Sequence, residues 1–372
     1  MKKILYNGYY GFQNTGDDAF IEVCSWGAKN YWGTTNNIFL GNDLPEVLNP
    51  AKPIMKPMFK GHNRINTALL TLNADYFISA GGSTFNKHTK NSLRDIAMFT
   101  KKNINKNLKI GAIGVSIGPF KSIDDEKQVV RYIKGMDFLA VRDKRSFDFL
   151  SSINLPYQPI EAFDLAALLT DVYIDEEFNL YKDDSKKVIG ISVCNYEQYI
   201  GGDLLKEEKR NKYALDLLLS LPKDENIIYR FFIFNSHPIV GDKILTDNFV
   251  SKLQGRNIEV IPYLNNVKKA WDKIKECDLM ISTRLHASIF ACYAKVPFFL
   301  IEYHEKCSDF LDDVGQHPDY RLYDGQTSIV SIQHSIESIL FKEEYKQPSF
   351  LIETVDKAKR NFTETMTKIS LY

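Results

Sequence analysis

The chain has 372 residues, which is long for one domain and sufficient for two, each with its own hydrophobic core. Lys plus Arg equals Asp plus Glu at 47 each, so the formal charge is zero and we expect no nucleic-acid partner. The five cysteines are scattered without a CxxC pair, which argues against a disulfide framework or a zinc site and favours reduced thiols in the cytoplasm. No apolar run approaches the ~20 residues of a membrane-spanning helix, and we expect no signal peptide.

The first half of the chain alternates short apolar runs with amphipathic stretches. The runs predict strands, and the amphipathic stretches predict helices between them. The predicted strands are Ile4–Asn7, Tyr76–Ser79, Lys109–Val115 and Phe138–Val141. The predicted helices are Asp17–Tyr31, Ser92–Lys101, Lys127–Lys134 and Ser146–Ser151. This order is typical of a parallel sheet covered by helices.

A charged segment without periodicity, Asp171–Lys187, is the predicted linker, and the alternation restarts after it. The predicted strands of this half are Val188–Val193, Ile227–Phe234, Ile258–Ile261, Cys277–Ile281 and Pro297–Ile301. The predicted helices are Lys206–Leu221, Asp242–Leu253, Val267–Glu276 and Leu285–Lys295. The second half therefore predicts another parallel α/β sheet.

The predicted fold class is α/β, with two Rossmann-like doubly wound domains facing a cleft. We place the first domain at residues 1–175 and the second at residues 186–348. Residues 349–372 predict a C-terminal helix that returns to the first domain. Ligands of such sheets bind at the carboxyl ends of the strands, and each polar cluster of this sequence follows a predicted strand.

The most informative cluster is Ser282-Thr283-Arg284-Leu285-His286, between a predicted buried strand and a predicted helix. The N-terminus of a helix attracts anions, and an Arg there can bind a carboxylate or phosphate through two parallel hydrogen bonds. A His can transfer a proton near neutral pH. The pattern favours a transferase that acts on a small anionic donor. The alternative is that the Arg forms a surface ion pair and the His caps the helix.

Two glycine-rich clusters lie in the first half. Residues 7–18 (NGYYGFQNTGDD) supply the candidate ligands Asn14 and Asp17, and Asp17 or Asp18 is expected to cap the following helix. This segment matches neither GxGxxG nor GxxxxGK[ST], so a plain tight turn remains the alternative. Residues 79–88 (SAGGSTFNKH) can bind an anion through backbone N–H groups or form a flexible loop. The candidate residues of this second cluster are Gly81, Gly82, Ser83 and His88.

Four further candidates follow strands singly. Arg142 could bind an anion, with Asp143 as its partner or as a helix cap, and Asp164 could line the same cleft or cap a helix. His237 follows a strongly apolar strand, and His304 lies in EYHEK. No HExxH motif or Cys/His spacing supports a metal site, and the absence of GxSxG argues against a serine hydrolase.

Taken together, these motifs resemble the polysaccharide pyruvyl transferase family. The segments that carry the resemblance are GYYGFQNTGDDA, SAGGSTF, IGVSIGP, AVRDKRS, the FD of EAFD and ISTRLHASIFACYAKVPFFLIEY, in the family's order over residues 4 to 315. At three positions this chain differs from the residue common in the family: Asp18, Ala80 and Ser116.

The resemblance implies a fold like that of GT-B glycosyltransferases and transfer of pyruvate from phosphoenolpyruvate to a sugar as a cyclic ketal. It further implies a role in making cell-surface polysaccharides, on acceptors that are often lipid-linked at the inner membrane face. The expected partners are therefore phosphoenolpyruvate and a saccharide, for a cytoplasmic protein with peripheral membrane contact. By position, the family's RLH histidine corresponds to His286, next to Arg284, and the arginine of its RD motif to Arg142.

The chemistry of this reaction assigns roles to the candidates. Phosphoenolpyruvate carries a carboxylate and a phosphate, for which we select Arg142 and Arg284. His286 is the principal acid/base candidate, His88 the second, and Asp164 or His237 a weaker one. The scheme requires no metal and no organic cofactor. The alternatives are a GT-B glycosyltransferase that uses a nucleotide sugar and a carbohydrate-binding scaffold with a degenerate site.

Overall fold

The chain folds into two compact α/β units, as seen in a computed structural model that describes residues 2–174, 185–323 and 326–369. The first unit contains the chain up to Gly11, Asp17–Val172 and the chain from Ile352. The second contains Tyr173–Leu351 and also the short segment Phe12–Gly16. Most of the predicted linker lies outside the described residues. Its beginning belongs to a helix and its last residue, Lys187, to a strand.

The first unit is built on a seven-stranded sheet whose strands are all parallel, in the order β3-β2-β1-β4-β5-β6-β7. Its strands are β1 (Lys3–Asn7), β2 (Asn36–Phe39), β3 (Lys52–Pro53), β4 (Tyr76–Ala80), β5 (Lys109–Val115), β6 (Phe138–Val141) and β7 (Ile160–Glu161). The strand order reverses between β1 and β4, where α/β sheets bind ligands.

The helices between these strands mostly begin at side-chain caps. They are α1 (Thr15–Trp32), α2 (His62–Leu72), α3 (Leu93–Asn103), α4 (Ile123–Ile133), α5 (Lys144–Ser152) and α6 (Leu169–Val172), with a 3₁₀ helix at Leu165–Leu168. The Asp143 carboxylate accepts the Ser146 N–H and so caps α5. The predicted cap at Asp17 or Asp18 is wrong, because α1 already begins at Thr15 and both residues lie in its first turn.

The second unit is built on a six-stranded parallel sheet in the order β10-β9-β8-β11-β12-β13. Its strands are β8 (Lys187–Ser192), β9 (Ile227–Phe232), β10 (Asn257–Ile261), β11 (Leu279–Ser282), β12 (Phe298–Ile301) and β13 (Arg321–Leu322). This is the 3-2-1-4-5-6 order of the Rossmann fold, and the order reverses between β8 and β11. The predicted strand Ile227–Phe234 ends early, because Phe234 and Ser236 make other backbone hydrogen bonds.

The second unit's helices pack on both faces of its sheet. They are α7 (Tyr196–Ile200), α8 (Leu204–Ser220), α9 (Lys243–Lys252), α10 (Val267–Lys275), α11 (Leu285–Tyr293), α12 (Glu305–Val314) and α13 (Ile329–Lys342), with a 3₁₀ helix at Pro318–Tyr320. Apolar residues of the strands and of α8, α9 and α13 form one buried core, with Leu217, Phe249 and Ile336 among its members.

A last helix, α14 (Leu351–Ile369), belongs almost entirely to the first unit. The buried Asn361 accepts the Gly114 N–H at 2.7 Å and donates to the Phe163 carbonyl at 2.9 Å. The Trp32 indole donates to the Phe362 carbonyl at 3.0 Å. Buried hydrogen bonds and aromatic packing therefore hold this helix to the first unit.

The predicted α/β class with two parallel, doubly wound sheets is confirmed. The sequence prediction missed several elements, among them strands β2, β3, β7 and β13 and helices α2, α7, α12 and α13. Strands β3, β7 and β13 have two residues each, and a two-residue strand shows no periodicity. Helix α2 buries the polar side chains of Thr67 and Thr71 while Ile65, Leu69 and Leu72 are exposed, the reverse of the usual pattern.

Candidate functional site

The first unit holds the Arg142 guanidinium in a group of three side chains. Its Nη1 donates to Asp164 Oδ2 at 2.6 Å, its Nε to Ser116 Oγ at 2.8 Å and its Nη2 to Ser83 Oγ at 3.0 Å. Arg142 and Asp164 are both buried. The cation is therefore paired with one carboxylate and oriented by two hydroxyls, which fixes the plane of the guanidinium.

Four neighbouring strands deliver these residues. Ser83 follows β4, Ser116 follows β5, Arg142 follows β6 and Asp164 follows β7, and the strands are adjacent in that order. Because the sheet is parallel, all four residues come to its carboxyl edge. The structure thus brings the predicted residues Ser83, Arg142 and Asp164 together, and it adds Ser116.

The turn after β4 is shaped by Gly81, whose φ is +74°. A Cβ there would lie 2.5 Å from Cγ of Phe20, so both the space and the conformation require glycine. Gly81 donates its N–H to the Ile113 carbonyl at 2.9 Å. The predicted anion-binding nest is therefore wrong for this donor, because the sheet already uses it.

Arg94 on α3 also holds this turn, although it was not among the predicted site residues. Its Nη1 donates to the Thr84 carbonyl at 2.8 Å and its Nη2 to Thr84 Oγ1 at 2.6 Å, while its guanidinium lies 4.0 Å from the centre of the Phe85 ring. Burial lowers the pKa of this guanidinium. Arg94 thereby fixes the residue next to Ser83, and the RD pair at 94–95 was the signal in the sequence.

His88 and Asp17 are the remaining candidates of the first unit. The His88 Nε2 is 3.4 Å from Asp95 Oδ1 at the beginning of α3, and no described residue links His88 to Arg142 by a hydrogen bond. Asp17 lies close to the turn after β4, since its Oδ1 is 3.9 Å from the position a Cβ would take at Gly82.

In the second unit the Arg284 guanidinium is bound side-on by Asp242. Nε lies 3.0 and 2.9 Å from the two carboxylate oxygens, and Nη2 also contacts Oδ1. Asp242 is fully buried and also accepts the Asn235 N–H at 2.9 Å. The Arg284 side chain is 23% exposed, and its Nη1 has no hydrogen bond to a described residue. One side of the guanidinium is thus fixed, and the other can meet a ligand.

Burial and pairing act in opposite directions on these two groups. Burial alone would lower the pKa of Arg284, but the charge of Asp242 raises it above its ordinary value. Burial raises the pKa of Asp242, while Arg284 and the backbone N–H of Asn235 oppose that rise. The guanidinium stays protonated, and it depends on Asp242 as its counter-ion.

His286 lies in the first turn of α11, two residues after Arg284. Arg284 is the N-cap of this helix, and its side chain caps no backbone N–H. The positive end of the helix dipole therefore lies next to both side chains. The imidazole packs against Gly16, where a Cβ would lie 2.5 Å from His286 Cγ. Glycine at position 16 makes room for the ring.

The segment Phe12–Gly16 contacts the end of β9 in the second unit. Thr15 donates its N–H to the Phe234 carbonyl at 2.9 Å, and Ser236 donates to the Gln13 carbonyl at 2.9 Å, around a bridge between Asn14 and Asn235. The Asn14 side chain accepts the Gly16 N–H at 3.1 Å. Asn14 therefore fixes the loop that contains the glycine beside His286.

His237 and His304 accept backbone hydrogen bonds in the second unit. His237 Nδ1 lies 3.2 and 3.3 Å from the N–H nitrogens of Ile239 and Val240. His304 Nδ1 accepts the Lys306 N–H at 3.2 Å and caps α12. In both rings Nδ1 therefore acts as an acceptor for the backbone.

Among residues 2–174, 185–323 and 326–369, no group of three or more His, Cys, Asp or Glu side chains is placed to hold a metal ion. Within the same residues no helix is both long enough and apolar enough to cross a membrane.

These features define an α/β protein of two Rossmann-like units, each with an oriented guanidinium at the carboxyl edge of its sheet. A family model described as polysaccharide pyruvyl transferase matches residues 4–305. The chain belongs to this family, as the resemblance of its motifs predicted.

Solved structures show the same fold. The UDP-GlcNAc 2-epimerase of Methanocaldococcus jannaschii has a TM-score of 0.60 and 13% identity, covering 99% of each chain. The Neisseria meningitidis UDP-GlcNAc 2-epimerase has a TM-score of 0.59 and 10% identity over 100% of both chains. The α,α-trehalose 6-phosphate synthase of Burkholderia multivorans has a TM-score of 0.56 and 10% identity, over 100% of this chain and 98% of that one. The predicted GT-B-like fold is confirmed, while no curated protein matches the chain by sequence.

Proposed function

We propose that this polysaccharide pyruvyl transferase moves pyruvate from phosphoenolpyruvate to a saccharide of a cell-surface polysaccharide or its lipid-linked precursor. The product is a cyclic ketal, and phosphate is released. The observation that carries the proposal is that both Arg284 and His286 lie at the beginning of α11, in a chain that belongs to this family. A cation, a helix N-terminus and an imidazole there suit an anionic donor that must accept a proton.

The reaction adds one proton to carbon and removes two from the sugar hydroxyls, and the remaining proton leaves on the phosphate. Protonation of the methylene carbon of phosphoenolpyruvate leaves an oxocarbenium-like centre at the adjacent carbon. One sugar hydroxyl adds to that carbon and loses its proton, the phosphate leaves with its bridging oxygen, and the second hydroxyl adds and loses its proton. We assign His286 as the acid that protonates the methylene carbon. A positioned acid or base contributes about 10²–10⁴-fold to the rate.

Arg284 is assigned to an anionic group of the donor. Its Nη1 and the first turn of α11 can contact a phosphate or carboxylate while Asp242 keeps the guanidinium in place. The pair with Asp242 is formally neutral, so the helix N-terminus supplies much of the attraction. Gly16 and Asn14 support the assignment of His286 because they fix the surface against which its ring packs.

Arg142 is assigned as a second cation for the donor's anions, with Ser83 and Asp164 as residues that orient it. Asp164 and His88 are the weaker candidates for the second acid/base role. Asp164 already accepts from Arg142 and from the Ala166 N–H, and His88 lies next to Asp95. Variants His88→Gln and Asp164→Asn discriminate between these candidates, because only the true base should lose its limb of the pH–rate profile.

The second candidate function is that of a glycosyltransferase with a nucleotide-sugar donor. It is favoured by the fold likeness to UDP-GlcNAc 2-epimerases, one of which is described as bound to UDP-GlcNAc. The two functions differ in the donor that binds. The fold alone does not select a donor, because one fold serves many reactions.

Calorimetry distinguishes the two functions before the acceptor is known. Phosphoenolpyruvate and a panel of nucleotide sugars are titrated into the wild type, Arg284→Ala and the matched surface variant Arg131→Ala. Saturable binding of phosphoenolpyruvate that only Arg284→Ala loses supports pyruvyl transfer. Nucleotide-sugar binding without phosphoenolpyruvate binding contradicts it. Thermal unfolding of each variant checks that lost binding is not lost folding.

A further inference from the structure

The first unit exposes an apolar surface on helices α2 and α3 and on the segment before them. Helix α2 turns Ile65, Leu69 and Leu72 outward, while Thr67 and Thr71 are buried on its other side. The spacing of 65, 69 and 72 places the three apolar side chains on one face. A helix with its apolar face in water is costly unless another apolar phase covers it.

Neighbouring elements extend this surface. Phe99 on α3 is 62% exposed, and Ile104 after α3 is exposed as well. Helices α2 and α3 are held together at Thr71 and Thr100, whose hydroxyls are 3.2 Å apart. The Asn105 side chain donates to the Leu72 carbonyl at 3.2 Å, which places Ile104 next to the end of α2.

The segment before α2 adds three exposed apolar side chains, Met55, Met58 and Phe59. It is fixed to the beginning of α2 because the Met58 N–H donates to His62 Nδ1 at 3.3 Å and the Phe59 and His62 rings are 5.0 Å apart. We call these exposed apolar residues the apolar patch: Met55, Met58, Phe59, Ile65, Leu69, Leu72, Phe99 and Ile104.

The patch lies within a basic stretch of a chain that is formally neutral. No Asp or Glu occurs between Glu46 and Asp75, whereas that stretch contains Lys52, Lys56, Lys60 and Arg64, all exposed. Two more exposed lysines, Lys102 and Lys106, flank Ile104. The stems of Lys and Arg can lie along an apolar phase while their charges reach its polar boundary.

We propose that this patch docks the protein on the surface of a bilayer that contains anionic phospholipids. Apolar side chains inserted at the acyl boundary and lysines at the headgroups are the combination that holds interfacial proteins. Charge argues against a second copy of the chain, because a two-fold contact would bring the basic residues of one patch against those of the other. The family resemblance implies peripheral membrane contact without saying which surface makes it, and the proposal assigns that contact to this patch; it does not depend on pyruvyl transfer.

Vesicle co-sedimentation of the full chain tests the proposal. The vesicles contain phosphatidylcholine alone or phosphatidylcholine with phosphatidylglycerol, and no saccharide, so a failed pyruvyl-transfer proposal would not affect the result. We expect binding to the anionic vesicles, weakened by salt because the lysine contribution is screened. We expect Lys56→Glu/Lys60→Glu/Arg64→Glu to lower the partition coefficient on the anionic vesicles by about 100-fold or more, because it removes three basic residues and adds three like charges to those of the lipid.

A second variant removes only apolar area. Leu69→Ser/Phe99→Ser should lower partitioning on both kinds of vesicle without changing the salt dependence. The matched controls are Ile244→Ser/Ile352→Ser, at residues 72% and 76% exposed, and Lys209→Glu/Lys223→Glu/Lys252→Glu in the second unit. Both controls should bind as the wild type does, and thermal unfolding confirms that all variants fold.

Three results would overturn the proposal. The first is a wild type that does not sediment with anionic vesicles. The second is an equal loss in the patch and control variants, which would indicate a non-specific charge effect. The third is a wild-type dimer that the patch variants dissociate, which would assign the surface to a second copy of the chain.

Discussion

The two guanidinium groups are held in place in different ways. Arg142 is oriented by three side chains, two hydroxyls and one carboxylate, each of which follows a different strand of the same sheet. Arg284 relies on a single carboxylate, Asp242, which lies just before α9 and is fully buried. Among the described residues each guanidinium is paired with one carboxylate, so the loss of either carboxylate leaves a charge uncompensated, but only Arg142 keeps two hydroxyl partners that preserve its orientation.

The difference extends to the chemistry next to each group. A histidine lies two residues after Arg284, and its ring packs against a glycine. No described histidine is hydrogen-bonded to the Arg142 group. We therefore expect proton transfer to depend on the second unit, and Arg142 to act through its charge and geometry.

The largest expected effect tests that division of roles. His286→Ala should lower the rate of phosphate release by about 10²–10⁴-fold, because it removes the proposed acid. Calorimetric binding of phosphoenolpyruvate should change little, because Arg284 and the helix N-terminus remain. Unchanged turnover with a saccharide acceptor that the wild type uses would contradict the role of His286.

The next prediction compares the two counter-ions directly. Asp242→Ala should lower the free energy of unfolding by about 3–5 kcal/mol, because it leaves a mostly buried cation without the carboxylate that pairs with it among the described residues. Asp164→Ala also leaves a buried cation without its carboxylate, but Ser83 and Ser116 still accept from Arg142 and should reduce the cost below that of Asp242→Ala. Urea unfolding of both variants measures the difference. Equal costs would show that the two hydroxyls do not compensate for the lost carboxylate.

A smaller effect is expected from the glycine beside the imidazole. Gly16→Ala should push the His286 ring aside and lower the rate by about 10²-fold, the usual result of a misplacement near 1 Å. The control is the same substitution in a His286→Ala background, where it should cost almost nothing. Steady-state phosphate release measures both. Additive losses would mean that Gly16 acts independently of His286.

The smallest expected effects concern the hydroxyls around Arg142. Ser83→Ala and Ser116→Gly each remove one hydrogen bond to a charged group, at a cost of about 1.5–3 kcal/mol in the buried limit. Ser83 and Ser116 are both partly exposed, so water can replace either hydroxyl and both losses should lie below that limit. Calorimetric affinity for phosphoenolpyruvate is the measurement. A loss above that limit for either variant would show that water does not replace the hydroxyl.

Most of the fold could be predicted from the sequence, because its central strands are continuous apolar runs. β5 and β6 begin and end at the predicted residues, since both are buried and bounded by polar or turn residues. The short edge strands and helix α2 could not be predicted in this way. Their residues carry little of the periodicity on which such predictions depend, and α2 carries it on the exposed side.

Some residues of the candidate site could be predicted from the sequence, and others could not. Arg142, Arg284 and His286 stand in recognisable motifs at strand ends, so the sequence alone selected them as candidates. Asp242 could not be selected, because a carboxylate at the start of a helix is usually a cap and this one is a counter-ion through a contact 42 residues away. Arg94 was missed because its contact with Thr84 depends on how α3 packs against the turn after β4.

The sequence by itself determined the central strands of both sheets and most of the helices that follow them, because periodicity, turn residues and motifs are local properties of the chain. Tertiary structure alone decided which side chains meet: Asp164 with Arg142, Asp242 with Arg284, and Gly16 with His286. The reason is that each pair joins residues from different elements. The distance between the two side chains of a pair depends on strand order and helix packing, and the residues adjacent in sequence determine neither.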